Sequence, residues 1–180
     1  MRVLLSEDEL NQGVRRLADE IDRHYEGRPL TVIAIMTGSL VLFADLIRRL
    51  SMPQRVGVIQ ASSYRGGTTS SDLQVDAGMM IDVSARDVLL VDDIFDTGKT
   101  LERTGEMMKE LGAASVQTAV LLHKQREHLV QVRPNFVAFQ SPDEFVVGYG
   151  LDYLDMYRNL PYLAVLDAAE IEATAADVEL

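Results

Sequence analysis

At 180 residues, with 47% hydrophobic and only 5 prolines, the chain can bury the core of one compact domain spanning residues 1–180 and needs no second one. A formal net charge of −11 argues against nucleic acid as the main partner, because phosphate backbones are held by clustered Lys and Arg. Cysteine is absent, which excludes disulfides, a thiolate nucleophile and a zinc-thiolate site and suits a cytoplasmic protein. No apolar run is long enough to span a bilayer, and the start, MRVLLSEDEL, lacks the apolar core of a secretion signal, so no membrane partner is expected.

Ser6 and Glu9 have the spacing of a capping box, and Leu10, Val14, Leu17 and Ile21 recur at helical intervals. Together they predict an amphipathic helix running to about Tyr25. Residues 30–36 form a buried-strand candidate, after which Thr37, Gly38 and Ser39 turn the chain into LVLFADLIRRL, a helix apolar on most sides. A strand, a tight loop and a helix in this order offer one candidate phosphate site. Residues 56–61 read as the next strand, and residues 73–81 as the strand that returns from SSYRGGTTSSD. The glycines, hydroxyls and single tyrosine of that segment suit a mobile flap as well as an ordinary long connection.

The rest of the chain is organised around residues 86–112, RDVLLVDDIFDTGKTLERTGEMMKELG. Residues 88–91 are uninterruptedly apolar and end in two carboxylates, the pattern of a parallel strand buried on both faces that delivers polar groups at its carboxyl end. Leu101, Thr104, Met108 and Leu111 then recur at helical spacing, and Gly112 stands where a left-handed cap is expected. Between strand and helix, Thr97, Gly98, Lys99 and Thr100 suit a phosphate bound by backbone N–H groups. A nucleotide-triphosphatase P-loop needs a further glycine five positions before Gly98, where Asp93 stands, so that reading fails. Asp92, Asp93 and Asp96 could not all face one phosphate without repulsion. A sugar phosphate resolves the conflict, with its phosphate on the loop and its ribose hydroxyls or a magnesium ion on the acidic pair.

Residues 116–122 read as another buried strand, ending in His123 and Lys124, and Lys124 would face the same crevice as Asp96. His123 and His128 are five apart, on different faces of any helix, and read as structural or surface residues. The stretch NFVAFQSPDEFVVGYGLDYLDMYRNLPYLAVL follows, and the tail EIEATAADVEL reads as a last helix or a frayed end.

The central stretch, an apolar strand with two acids and then DTGKT, resembles the phosphoribosyl-pyrophosphate (PRPP) signature of type I phosphoribosyltransferases. The run PDEFVVGYGLDY followed by YRNLPY resembles the purine-binding hood of hypoxanthine-guanine phosphoribosyltransferases, and the two motifs in this order cover nearly the whole chain. The resemblance implies an α/β fold with a central, mostly parallel sheet flanked by helices and a small hood from roughly residues 1–10 and 134–170. It implies transfer of the phosphoribosyl group from PRPP to hypoxanthine or guanine with magnesium, in a homodimer or homotetramer. By the same resemblance, Asp92 and Asp93 hold ribose hydroxyls, and Asp96, Thr97, Gly98, Lys99 and Thr100 form the phosphate loop. Thr37 and Gly38 contact pyrophosphate, often through a cis peptide in the family. Ser63 and Tyr64 belong to a closing lid, Lys124 donates to the purine 6-oxo group, Phe145 stacks on the ring and the Val146 backbone reads its edge. Asp152 binds a magnesium ion and Arg158 the leaving pyrophosphate. Two departures stand out: Thr37 replaces a common Lys or Arg, and Asp92 a common glutamate. Asp96, between the sugar-binding pair and the phosphate amides, is the expected acid-base residue. A pyrimidine-type member and a PRPP-sensing nucleic-acid-binding regulator are the alternatives, and net acidity weighs against the regulator.

Overall fold

The structure is a computed structural model and describes residues 1–63, 73–76, 81–126 and 130–178. In chain order the elements are β1 (Arg2–Leu5), α1 (Glu7–Tyr25), β2 (Leu30–Met36), α2 (Leu40–Ile47), β3 (Gln54–Ser63), β4 (Leu73–Asp76) and β5 (Asp87–Phe95). They continue with α3 (Lys99–Glu110), β6 (Ser115–Lys124), β7 (Phe136–Ser141), β8 (Val146–Val147), β9 (Leu163–Val165) and α4 (Ala168–Val178).

A six-stranded sheet in the order β4-β3-β2-β5-β6-β7 forms the centre, and only β4 runs antiparallel to its neighbour. The expected α/β fold with a mostly parallel sheet is what the chain adopts. Alternate residues of each buried strand serve opposite faces. Val32, Ala34, Leu89 and Val91 meet α1 and α2, whereas Ile33, Ile35, Val88 and Leu90 meet α3. Both faces are therefore apolar, and the strands read as continuous hydrophobic runs for that reason.

The predicted capping box is present: the Ser6 N–H donates to Glu9 Oε2 at 2.8 Å and the Glu9 N–H to Ser6 Oγ at 3.3 Å. Helix α2 stops at Ile47, short of the predicted run to Leu50, because Arg48 and Arg49 turn back onto its last carbonyls. Arg48 Nε donates to the Ala44 carbonyl at 2.9 Å and Arg49 Nη1 to that of Asp45 at 2.7 Å, satisfying acceptors that another turn would have used. Strand β3 is longer than residues 56–61, β4 is described over Leu73–Asp76, and Ile81, the expected end of that strand, lies outside any strand. The tail is helical because Asp167 and Glu170 cap its start reciprocally, the Asp167 N–H to Glu170 Oε2 at 3.0 Å and the Glu170 N–H to Asp167 Oδ1 at 2.9 Å.

Strands β1, β9 and β8 make a separate antiparallel sheet. This small sheet joins the two ends of the chain above the carboxyl edge of the main one. The intervening β7 extends the main sheet instead, pairing with β6 from Ala119↔Phe136 to Lys124↔Ser141. No helix among the described residues is long and apolar enough to cross a membrane.

Thr31, 1% exposed in β2, has an Oγ1 with no hydrogen-bond partner among the described residues. Leaving a buried hydroxyl unpaired costs about 1–3 kcal/mol, and valine has the same shape without that group. Thr31→Val is therefore expected to raise the unfolding free energy by about 1 kcal/mol in urea titrations. A loss of that size would instead mean that the hydroxyl is satisfied in solution.

Candidate active site

Strand order reverses between β2 and β5, which lie side by side although α2, β3 and β4 separate them in sequence. At such a switch point the loops leaving the two strands part, and a crevice opens beyond their carboxyl ends. The loop after β2 follows a cis peptide between Met36 and Thr37 and is tied down by buried Ser39, whose hydroxyl donates to the Ile35 carbonyl at 2.6 Å. Gly38 faces β5 so closely that a Cβ there would lie 1.7 Å from Asp93 Oδ2, so the acidic pair can approach only a glycine. The loop after β5 enters α3 through Gly98, in the left-handed region at φ 86°, and this turns the first free N–H groups of the helix toward the crevice.

A cavity of about 330 Å³ occupies this crevice, lined by Thr37, Gly38, Asp92, Asp93, Asp96, Thr97, Gly98, Thr100, Asp152 and Arg158. A second cavity of about 200 Å³ adjoins it and is lined by Asp93, Ile94, Asp96, Lys124, Phe145, Val146, Leu151 and Asp152. Asp93, Ile94, Asp96 and Asp152 belong to both walls. The first chamber is dominated by backbone amides and carboxylates, and the second has an apolar side made by Ile94, Phe145, Val146 and Leu151.

The electrostatics follow from burial. Asp92 is only 6% exposed. Loss of water raises its carboxyl well above the ordinary value, and repulsion from Asp93 raises it further. Burial also raises Asp93, but hydrogen bonds from Asp92 and the Ile94 N–H and the nearby Arg158 guanidinium pull in the opposite direction. The pair resists carrying two charges until a cation or hydroxyl donors arrive.

Asp152 sits across from this pair, its Oδ1 2.9 Å from Arg158 Nη2 and its Oδ2 accepting the Asp155 N–H at 2.9 Å. Arg158 also donates through Nη1 to the Gly150 carbonyl at 2.9 Å. In the second chamber, Lys124 Nζ lies 3.7 Å from Asp143 Oδ1, with its side chain 12% exposed. Phe145 presents its ring edge-on to Tyr153 at 5.3 Å and is 45% exposed, leaving a face open to a planar ligand.

Most of the residues singled out in the sequence thus meet around one crevice. Lys99 is the exception within the loop: it opens α3, is exposed and lines neither cavity. Ser63 ends β3, whereas Tyr64, the rest of the expected lid and His128 lie outside the described residues. His123 meets Phe95 in a T-shaped contact, with ring centroids 5.2 Å apart.

Two residues beside the site, Arg126 and Asp143, escaped the sequence reading. Arg126 Nη1 lies 2.9 Å from Asp96 Oδ1 and 3.4 Å from Asp143 Oδ1, so one guanidinium joins Asp96 of the shared wall to the carboxylate that faces Lys124. The signal was topological: β5 and β6 pair through Phe95↔His123, which puts residues just beyond both strands side by side.

No group of three or more His, Asp or Glu side chains among the described residues forms a ready metal cage. Magnesium seldom uses one. It prefers one or two carboxylates with water and substrate phosphates, and Asp93 and Asp152 on the shared wall offer such hard oxygen donors.

The family model for the phosphoribosyl transferase domain matches residues 4–154. The hypoxanthine-guanine phosphoribosyltransferase of Streptococcus pneumoniae is 39% identical over 166 residues, covering 92% of each chain. That of Staphylococcus epidermidis is 37% identical over 167 residues, covering 92% of this chain and 93% of its own. A crystal structure of a hypoxanthine-guanine phosphoribosyltransferase from Bacillus anthracis superposes with a TM-score of 0.87 at 35% identity, covering 93% of this chain and 99% of the other. With the domain matched over most of its length and relatives this close in sequence and structure, the chain belongs to the phosphoribosyl transferase family.

Proposed function

We propose that the protein transfers the 5-phosphoribosyl group of PRPP to hypoxanthine or guanine, releasing pyrophosphate and forming IMP or GMP. The observation that carries this reading is the shared wall. A polar chamber and a planar, partly apolar chamber meet at Asp93, Asp96 and Asp152, as a sugar phosphate and a flat base that react with each other require.

The sugar 5-phosphate lies on the N–H groups around Thr97, Gly98 and Thr100, where unpaired donors and the helix dipole stabilise an anion. Asp92 and Asp93 accept hydrogen bonds from the ribose hydroxyls, replacing water that burial has taken from them. Thr37, Gly38 and Arg158 hold the pyrophosphate. Lys99, the first residue of α3, adds its free backbone N–H to this loop while its side chain stays exposed beside it. Asp152, with Asp93 and Asp92, would hold a magnesium ion, which would supply positive charge for the departing pyrophosphate.

The base enters the second chamber with its face on Phe145 and its edge along the Val146 backbone. Lys124 donates to the 6-oxo group, a contact that favours 6-oxopurines over adenine. As the purine nitrogen attacks the anomeric carbon and pyrophosphate leaves, Asp96 takes the proton from the imidazole ring. Arg126, 2.9 Å from Asp96 Oδ1, orients this carboxylate at the edge of the site. On this reading Ser63 and Tyr64 belong to a lid over the reacting sugar. The enzyme works in the cytoplasm as a homodimer or homotetramer, on small molecules and with neither nucleic acid nor membrane as partner.

Pyrophosphate release from PRPP with hypoxanthine, guanine, xanthine and adenine in turn tests the reading, and activity with adenine alone would overturn it. Lys124→Ala should weaken the use of hypoxanthine by about 1.5–3 kcal/mol in kcat/KM, the worth of a hydrogen bond from a charged donor, while adenine stays poor. Equal use of hypoxanthine by variant and parent would remove Lys124 as the base reader. Asp96→Asn keeps the shape but not the basicity, and should lower single-turnover rates by about 10²–10⁴ while PRPP binding changes little. Asp92→Asn removes the costliest buried charge, so the ligand-free protein should melt at a higher temperature at neutral pH while binding PRPP less tightly. A fall in melting temperature would show that the Asp92 charge is compensated in the empty site.

A further inference from the structure

The turn at residues 148–151 links the small sheet to the pyrophosphate loop. Gly150 lies in the left-handed region at φ 101°, where an added Cβ would stand 2.2 Å from the Gly38 carbonyl oxygen. Its own carbonyl accepts from Arg158 Nη1 at 2.9 Å, and its N–H donates to the Arg158 carbonyl at 3.0 Å. Whatever fixes this turn therefore fixes Arg158 relative to Gly38.

Packing alone does not fix it. A cavity of about 340 Å³ lies behind the turn, with Val41 and Asp45 of α2 on one side and Tyr149 and Arg158 on the other. Across that gap one strong bond is made: the Tyr149 hydroxyl donates to Asp45 Oδ2 at 2.5 Å. Tyr149 is 6% exposed and holds φ 47°, a conformation uncommon for a residue with a side chain. Asp45 is itself anchored, because its other oxygen pairs with Arg48 and Arg49, and Arg49 reaches Asn11 on α1 at 3.1 Å. Burial and the bond to Asp45 keep the Tyr149 phenol well above its ordinary pKa, so it remains a donor across the neutral range.

We propose that Tyr149 and Asp45 are a positioning pair for the pyrophosphate half of the site. Neither lines the two chambers. Their hydrogen bond sets the distance between the Thr37–Gly38 loop, which leads directly into α2, and Arg158, which hangs from the turn. The inference rests on the reading of Gly38 and Arg158 as the pyrophosphate site. If the bond only added stability, its loss would lower the melting temperature and leave every substrate constant alone.

Tyr149→Phe removes the hydroxyl and keeps the ring. It is expected to raise the KM for PRPP about threefold to thirtyfold, the range of indirect coupling through a packed contact, while the KM for hypoxanthine and the single-turnover rate stay near the parent values. Calorimetric binding of inorganic pyrophosphate with magnesium should weaken by a similar factor. Asp45→Ala breaks the same bond from α2 and serves if Tyr149→Phe does not fold. The double variant should be no worse than the poorer single one. Equal pyrophosphate affinity in parent and variants, or a parallel rise in both Michaelis constants, would overturn the pairing. Failure of the parent itself to bind pyrophosphate would instead overturn the reading of the site on which the pairing rests.

Discussion

Two neighbouring carboxylates at the end of a fully buried strand are the constraint to which the rest of the site answers. Asp92 and Asp93 emerge from an apolar strand packed on both faces, so water cannot reach them freely and neither ionises at its ordinary cost. The protein relieves part of this strain with its own groups: the Asp93 N–H donates to Asp92 at 3.0 Å, the Ile94 N–H to Asp93 at 2.9 Å, and Arg158 lies nearby. What is left unrelieved is a pair of carboxyls held above their ordinary pKa range. Gly38 is forced by the same pair, since any side chain there would collide with Asp93.

Placement of this pair beside the loop that enters α3 is a matter of topology. Parallel strands deliver all their carboxyl ends to one edge, and the reversal of order between β2 and β5 leaves a gap there that helices do not fill. The small sheet then closes the gap from above with residues from the far end of the chain. Both ends of the sequence are therefore needed for a site whose chemistry is concentrated in its middle: Phe145, Val146, Asp152 and Arg158 reach the crevice only because β8 and β9 pair with each other and β9 with β1.

This division explains what could be read from the sequence. Strand β5, Gly98 and the acids are contiguous, so local rules of strand burial and anion binding were enough to find them. The capping box of Ser6 and Glu9 and the left-handed Gly112 were legible for the same reason. Strand β1 was not legible: RVLL is too short to show a period, and it becomes a strand only by pairing with β9. The end of α2 was misjudged because side chains, and not propensity, decide it. Lys99 was legible as a member of the loop from its place in DTGKT, whereas the exposure of its side chain follows from the turn at Gly98 and could not be read there.

The residues hidden longest are those that join elements distant in sequence. Arg126 and Asp96 are 30 positions apart, and Tyr149 and Asp45 are 104 apart, so no window of the chain contains either contact. Yet both arise where the fold must hold two separately built pieces in register, the segments leaving β5 and β6 in one case and the small sheet against α2 in the other. An apolar contact would tolerate sliding at such a joint, because dispersion and burial depend weakly on direction. A short hydrogen bond to an anchored carboxylate does not, because its strength falls steeply with misalignment. Directional bonds at the seams and non-directional packing within the layers are thus the arrangement expected of a site assembled from both ends of its chain.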